Sequence, residues 1–544
     1  MNRRLFRLVF SPLHRALVPV WEGARRARRA GGAASPAVLV AASLAGAVGD
    51  ALAVGESELP VAVRELTDLA TVAGVARGSI GVDAATGINT LAVQQSAQRA
   101  TIDWQSFNVG ARAAVVFDTP GASAITLNRI GQADPSVING VLRSNGQVYL
   151  INQNGVLFGN GARVDTAGLI ASALQLRPEA LERGFASLID GEAAFAWTGT
   201  PEQFASSVVR VEGGAMIRTA PGGRVMLLGP RVENAGRIEA PDGQVILAAG
   251  SKVYLTASAD PRLRGFLVEV DPLSFTDESG AARVQGGTVS NAGNGVSGGD
   301  ISTPRGTVTL AALTVNQGGR VSATTSVSAN GSVYLVARDT TLAVQRPGTS
   351  VVDRVATRAG ELNLGAGSRT EVLPDAGSAE TSIDAQVFQP SEVLLQAGKV
   401  RFESGAGVIA PGAIVTVAAL RDPSLPTFTA AGAPVNDSRI FMDTGSFIDV
   451  SGTRGVNVSV ARNIVTAELR GNELRDSPLQ RSGVLNGRTI QFDVREGTPI
   501  GDVSAYAGQI RRGAAERTSA GGTINVLSEG DVVIRDGAVL DVSG

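Results

Sequence analysis

The 544-residue chain has no cysteine, one histidine (His14) and a formal net charge of −2. Without cysteine there are no disulfides and no thiolate nucleophiles or metal ligands, and a lone imidazole in a cleavable leader leaves no Ser-His-Asp triad and no ordinary zinc centre. Its 67 glycines follow no G-X-Y period, while Val, Ile, Leu and Ala stay abundant, a composition that reads as foldable and strand-rich rather than collagenous or disordered.

The first 53 residues read as an extended export signal. Arg25 to Arg29 supply the positive charge, Pro36 to Val48 the short apolar core, and Ala51-Leu52-Ala53 an A-x-A site with cleavage after Ala53. The apolar run is too short and too rich in Ala and Gly for a stable membrane span. Eight arginines lie before position 53, leaving 40 basic against 48 acidic residues beyond it, a formal net of −8. Such a chain has no broad electrostatic reason to seek nucleic acid.

Beyond the leader, short segments alternate apolar and polar residues and are punctuated by turns. The clearest is Gly146-Gln-Val-Tyr-Leu-Ile-Asn152-Gln-Asn154-Gly155. Its first half has the period of a half-buried strand, and Asn152 and Asn154-Gly155 then turn the chain. The template Gly, polar, Val, any residue, Leu returns at Gly223, Gly243, Gly306 and Gly331, and Phe447-Ile-Asp-Val-Ser-Gly452 is echoed by Val539-Leu-Asp-Val-Ser-Gly544. Spacings of about 20 to 25 residues fall in the solenoid range. The expected fold is all-β: a right-handed parallel β-helix with an N-terminal cap and small excursions from the rod. One coil cannot bury its inward side chains, and stacking coils about 4.8 Å apart supplies both hydrogen bonds and a core; some 20 coils, a rod on the order of 100 Å, are expected.

Arg177 to Ile189 breaks the pattern with helix-forming residues after a proline start, followed by a loop from Trp197 to Phe204. The run Val284 to Gly306 is dense in Gly, Ser and Asn and suggests a boundary. The expected domains are 1–53 (signal), 54–290 and 291–544, the last a repeat region that begins a longer stem.

Several ordered motifs between Gly87 and Leu174 resemble the secretion domain of filamentous haemagglutinins, exoproteins of bacterial two-partner secretion. Ile102-Asp-Trp104-Gln-Ser-Phe107-Asn108-Val-Gly110 is similar to that family's I-x-W-x-x-F-N-I-G block. Val116-Phe117, Leu127-Asn128-Arg129-Ile130 and Ser136-x-Ile138-x-Gly140-x-Leu142 follow in the family's order. Asn152-Gln153-Asn154-Gly155-Val156 stands where the family has Asn-Pro-Asn-Gly-Ile, with glutamine in place of proline. The resemblance implies export through the periplasm of a Gram-negative bacterium to the medium or cell surface. It implies an outer-membrane barrel transporter with periplasmic POTRA domains as partner, and no cofactor. Asn152, Asn154 and Gly155 are the candidate recognition segment, with Trp104, Phe107 and Asn108 supporting the local fold. The downstream repeats would act as an adhesin or haemagglutinin stem toward a host or neighbouring-cell receptor or glycan.

Other motifs carry less. Gly293-Asn-Gly295-Val-Ser-Gly298 matches G-x-G-x-x-G but lacks the strand-helix context of a dinucleotide site. Gly298-Gly-Asp300 looks like an unrepeated calcium nonapeptide. Asp443 with Asp449, or Asp531, Asp536 and Asp541, could line up on neighbouring coils as a glycosidase pair or calcium site. A β-helix carbohydrate lyase using Arg and calcium, or the stalk of a contact-dependent toxin, are the competing functions; a lyase requires clustered carboxylates with an arginine in a groove.

Overall fold

The structure, a computed structural model, describes residues 6–11, 16–21, 54–83, 86–258, 265–295, 297–425 and 436–544. His14 and the expected cleavage residues Ala51 and Ala53 lie outside the described residues.

The described residues wind into a parallel β-helix with three faces, two thirteen-stranded sheets and one of ten strands. On one face the inward row runs Val148, Leu169, Val225, Val245, Val308, Val333, Val393, Val415 and Ile524, each opposite the next. A second row two residues on runs through Leu150, Ala171, Leu227, Leu247, Leu310, Leu335, Leu395 and Val417. The Val and Leu of the repeated template are therefore the core of successive coils. Period-two alternation sends both inward, and burying such a side chain contributes about 1.5–3 kcal/mol. The template's glycine has its own reason: a Cβ on Gly243 would lie 1.8 Å from the Gly223 carbonyl oxygen of the coil beneath. The echo near the end is a coil repeat in register, Phe447 opposite Val539 and Asp449 opposite Asp541.

At the N-terminal end the first strands pair antiparallel, Ala76–Val82 with Asn89–Gln95, and Val61–Ala62 with Arg99–Ser106. They cap a base whose core is aromatic, with Trp104, Phe107, Phe117 and Phe158 all buried. Higher up the core is mostly aliphatic, with Phe402 as a later ring.

The excursions are larger than the sequence suggests. A four-stranded antiparallel accessory sheet (Gln175–Leu176, Phe195–Ala196, Lys252–Ala257, Phe266–Asp271) covers the outside of the Val/Leu face. Between them they bury a second core that includes Tyr149, Ile170, Met226, Ile246, Phe185, Phe195 and Phe266. The expected helix is present as Pro178–Arg183 followed by a 3-10 turn, Phe185–Ser187. The segment expected to be a loop from Trp197 to Phe204 instead contains a helix, Pro201–Ser206, held by a capping box between Thr200 and Gln203. That signature, Thr-x-x-Gln with proline at the first helical position, is visible in the sequence. A second insertion, residues 453–522, leaves the rod between two coils and carries the hairpin Ile464–Glu468 with Thr489–Asp493 and a small core of Ala467, Phe492 and Val503. These excursions consume residues that a uniform coil length assigns to the rod. It has about a dozen rungs rather than 20, a length of roughly 55 Å.

Candidate functional site

The motifs of the N-terminal coils converge on one corner of the β-helix. Asn152 is fully buried. Its Nδ2 donates to the Asp134 carbonyl (3.1 Å) and to Ser136 Oγ (3.0 Å), and its Oδ1 accepts from the Asn154 amide (3.0 Å). Asn154, half-buried, donates through Nδ2 to the Gln132 carbonyl at 2.8 Å. Gly155 closes the turn, its amide donating to the Asn152 carbonyl (2.9 Å). Its φ is +113°, and a Cβ there would meet the Val208 carbonyl oxygen at 2.3 Å, so this turn needs glycine.

The same corner holds the earlier motif. Asn108 Oδ1 accepts from the Val137 amide (3.0 Å), and its Nδ2 donates to Glu58 Oε1 (2.9 Å). Gln132 accepts from the Phe107 amide (2.8 Å) and donates to the Pro135 carbonyl (2.7 Å). Trp104 and Phe107 meet edge to face with centroids 5.2 Å apart, and Trp104 Nε1 donates to the buried Asn128 at 2.9 Å. Segments 20 to 50 residues apart in sequence thus form one polar chain. Side-chain amides there satisfy the backbone groups that a sharp corner leaves unpaired. Glu58, Ser106, Asn108, Gln132, Asp134 and Pro135 line a shallow crevice of about 250 Å³ beside it.

Glu58 and Gln132 complete the cluster without having been singled out in the sequence, while Ser136 opens one of the quoted motifs. Of these two, Gln132 stands next to the Leu-Asn-Arg-Ile motif, and Glu58 had no local signal. Gln153, standing in place of proline, fixes the turn by other means: Nε2 donates to Thr198 Oγ1 (3.1 Å) and its carbonyl accepts from Ser207 Oγ (3.0 Å). The rigidity that a proline ring supplies within the turn comes here from tethers to the segment carrying the Pro201–Ser206 helix.

Of the downstream aspartates, Asp443, Asp531 and Asp536 lie apart, whereas Asp449 and Asp541 share a groove. Asp443 pairs with Arg535 (3.1 Å) and Asp531 with Arg439 (2.9 Å), while Asp536 is exposed on a turn. Asp449 and Asp541 stack on adjacent coils beside Arg454 in an open groove of about 580 Å³ that Asp375 also lines. Each of these carboxylates has a structural partner: Asp375 contacts Arg305 (2.6 Å), Asp449 caps the Ser451 amide (2.9 Å) and Asp541 caps the Ser543 amide (2.9 Å). The Ser543 amide holds Asp541 below the usual carboxylate range, so it stays ionised and is unsuited to donating a proton. Along the outer face, charges alternate up the rod, with Arg320 between Asp300 (3.6 Å) and Glu371 (2.9 Å). The glycines of the G-x-G-x-x-G match form an antiparallel bridge, Gly293 with Gly298, and Asp300 joins that charge row. Among the described residues no group of three carboxylates or imidazoles is placed to hold a metal ion.

Residues 73–265 match the family model described as the TPS secretion domain. The chain is 36% identical over 99 residues to a heme/hemopexin-binding protein of Haemophilus influenzae, covering 18% of this chain and 11% of the relative. It is 39% identical over 88 residues to the protein of that name from strain ATCC 51907 / DSM 11121 / KW20 / Rd, covering 16% and 10%. The match therefore spans about a tenth of those relatives' length. Among solved structures the HMW1 secretion domain from Haemophilus influenzae aligns with a TM-score of 0.47 and 20% identity, covering 70% of this chain and 83% of that one. Residues 73–265 are therefore the part of the chain that is similar to a TPS secretion domain.

Proposed function

We propose that the N-terminal coils, residues 54–290 after removal of a signal ending at Ala53, are recognised by an outer-membrane barrel transporter with periplasmic POTRA domains. Residues 291–544 then form part of an adhesin stem presented in the medium or at the surface of a Gram-negative cell, toward a host or neighbouring-cell receptor or glycan. The observation that carries the reading is the convergence of Asn108, Gln132, Asn152 and Asn154 on one corner beside an open crevice. Asn152, Asn154 and Gly155 form the recognition segment in this reading. A non-enzymatic stem is supported by the outer charges, which pair in rows along the rod, and by the groove carboxylates, which are each engaged structurally.

The test separates recognition from folding. Asn154→Ala removes a half-buried hydrogen bond worth about 1 kcal/mol. Export lost with the thermal stability of the purified N-terminal domain unchanged supports recognition; equal loss of both reduces Asn154 to a turn residue. Normal export of a chain lacking residues 87–174 would overturn the reading altogether.

A further inference from the structure

The strand Ser332–Gln345 is 14 residues long and belongs to two structures. Ser332 to Ala337 lie in the rod, paired with Thr307–Ala312 beneath and followed by Glu392–Ala397 above. From Arg338 onward the strand leaves the rod and pairs antiparallel with Val352–Ala359. The exit is sharply made. Thr340 holds φ at +60°, a left-handed conformation that a β-branched residue adopts only where its surroundings enforce it. Those surroundings are present: Thr357 Oγ1 donates to the Thr340 carbonyl (2.7 Å), and the buried Asp339 takes a two-pronged bond from Arg358, both contacts 2.6 Å.

This hairpin lies across the accessory sheet of the secretion domain and touches three of its parts. Arg338 grips Glu269 on the strand Phe266–Asp271, at 2.5 and 3.2 Å, and also bonds Gln396 on the coil above. The Thr341 amide donates to Asp271 Oδ1 (2.7 Å), whose other oxygen accepts from Tyr254 Oη (2.7 Å). Arg354 lies over the Tyr254 ring, 4.5 Å from its centroid, and donates to the Gly191 carbonyl (2.5 Å), while the Val352 amide donates to the Ile189 carbonyl (2.8 Å). Arg346 reaches the Ala257 carbonyl at 3.2 Å. These hairpin residues lie beyond residue 265, where the family match ends, as do Glu269 and Asp271, whereas Ile189, Gly191, Tyr254 and Ala257 lie within it.

We propose that residues 338–359 are a strap that closes over the accessory sheet only once the coil bearing Ser332–Ala337 has formed, locking the secretion domain to the stem. The order follows from geometry. Arg338 is directly bonded to a strand whose place is set by the Thr307–Ala312 coil, so the strap has no anchor until that coil exists. Until then Glu269 lacks Arg338, and Asp271 lacks the Thr341 amide and keeps only Tyr254. After closure Glu269 keeps only 13% of its side-chain surface exposed, and loss of water pushes its carboxyl up against the pull of Arg338. A buried pair of this kind contributes little net stability beyond its desolvation cost, but it penalises every docking in which the two charges miss each other. The strap is therefore a register device more than a source of stability, and it turns closure into a single defined event. The inference rests on contacts within the chain and stands independently of which partner exports it.

The test is amide hydrogen exchange on the full chain with Arg338→Ala and Arg354→Ala combined. Exchange across Lys252–Ala257 and Phe266–Asp271 should rise at least tenfold, while the coil strand Ile414–Ala419 keeps its protection. Because the chain has no native cysteine, a second variant adds Ile189→Cys and Val352→Cys to the same background; the oxidised staple should restore protection to the accessory sheet, and reduction should remove it. Unchanged exchange in the accessory sheet overturns the strap. So does an equal rise throughout the rod, which would mark general unfolding, or a staple that forms without restoring protection.

Discussion

Two stretches of the same sheet face differ in what covers them. In the secretion domain the strands Gly168–Ser172 and Gln244–Ala249 are buried at every position. Their inward residues fill the rod, and outward residues such as Ile170 and Ile246 pack beneath the accessory sheet. In the later coils, Glu392–Ala397 and Ile414–Ala419 bury Val393, Leu395, Val415 and Val417 but leave Glu392, Leu394, Ile414 and Thr416 half-exposed. The same template thus builds a two-sided wall in one region and a one-sided wall in the other. Strands buried on both faces lose their polar alternation, so Gln-Val-Ile-Leu-Ala-Ala and Glu-Val-Leu-Leu-Gln-Ala differ in the residues that report the cover.

The base of the secretion domain should be the most sensitive point. Trp104→Ala removes a buried ring and leaves the Asn128 amide oxygen without its donor, and a loss of about 3–5 kcal/mol is expected from core aromatic truncation. Chemical denaturation monitored by exchange across the first coils checks it, and a loss under about 1 kcal/mol would show that the capped base is dispensable to the rod.

Outward positions sharpen the contrast directly. Ile246→Ala should cost about 2–4 kcal/mol because the accessory sheet makes that outward face a core. Thr416→Ala, on the corresponding face of an uncovered coil, should stay within about 0.5 kcal/mol. Equal effects by thermal denaturation would mean that the accessory sheet does not exclude water from the face beneath it.

A smaller effect is expected where a polar ladder passes between the regions. Asn234 donates to Asn291 (2.8 Å) and Asn291 to Gln317 (2.8 Å), all three fully buried on successive coils. Asn291→Ala strands both neighbours and should cost about 1–3 kcal/mol. Asn291→Asp, which keeps an acceptor but loses the donor to Gln317, should be destabilising as well when measured near neutral pH.

The smallest expected effect depends on pH. Arg177 holds Asp190 down at about 2, below its ordinary value of 3.8. A depressed carboxylate contributes stability that is complete above the unfolded value and lost as pH falls through the folded one. Exchange in the helix Pro178–Arg183 should therefore quicken between about pH 4 and pH 2. The inward Val and Leu rows of Glu392–Ala397 and Ile414–Ala419 have nothing to titrate and should hold. The pair is partly exposed, so salt will weaken the response.

Much of this was legible in the sequence because β-helix coils obey local rules. The Gly-polar-Val-x-Leu template names its inward residues without reference to anything else, and the Asn-Gly pair names its turn. The crowding behind Gly243 recurs at Gly223 and Gly306, each facing a backbone carbonyl of the coil beneath, so those copies return at a readable spacing. The corner cluster was only half legible. Asn108, Ser136, Asn152 and Asn154 stood out as motif residues, whereas Glu58 and Gln132 become partners only when coils stack. The helix Pro201–Ser206 was legible through its capping box and was still expected as loop, since a single helical turn amid glycine and threonine carries little periodicity.

The sequence by itself determined the coil: period two, the inward Val and Leu, the turns between strands, and the motifs of the secretion domain. These are properties of neighbours along the chain. Tertiary structure alone decided which outward faces are covered, how many residues leave the rod, and that Arg338 meets Glu269 across 69 residues. Those outcomes depend on which segments a stacked coil brings within hydrogen-bonding distance. Stacking is set by the summed lengths of all the excursions between two coils rather than by the residues of either.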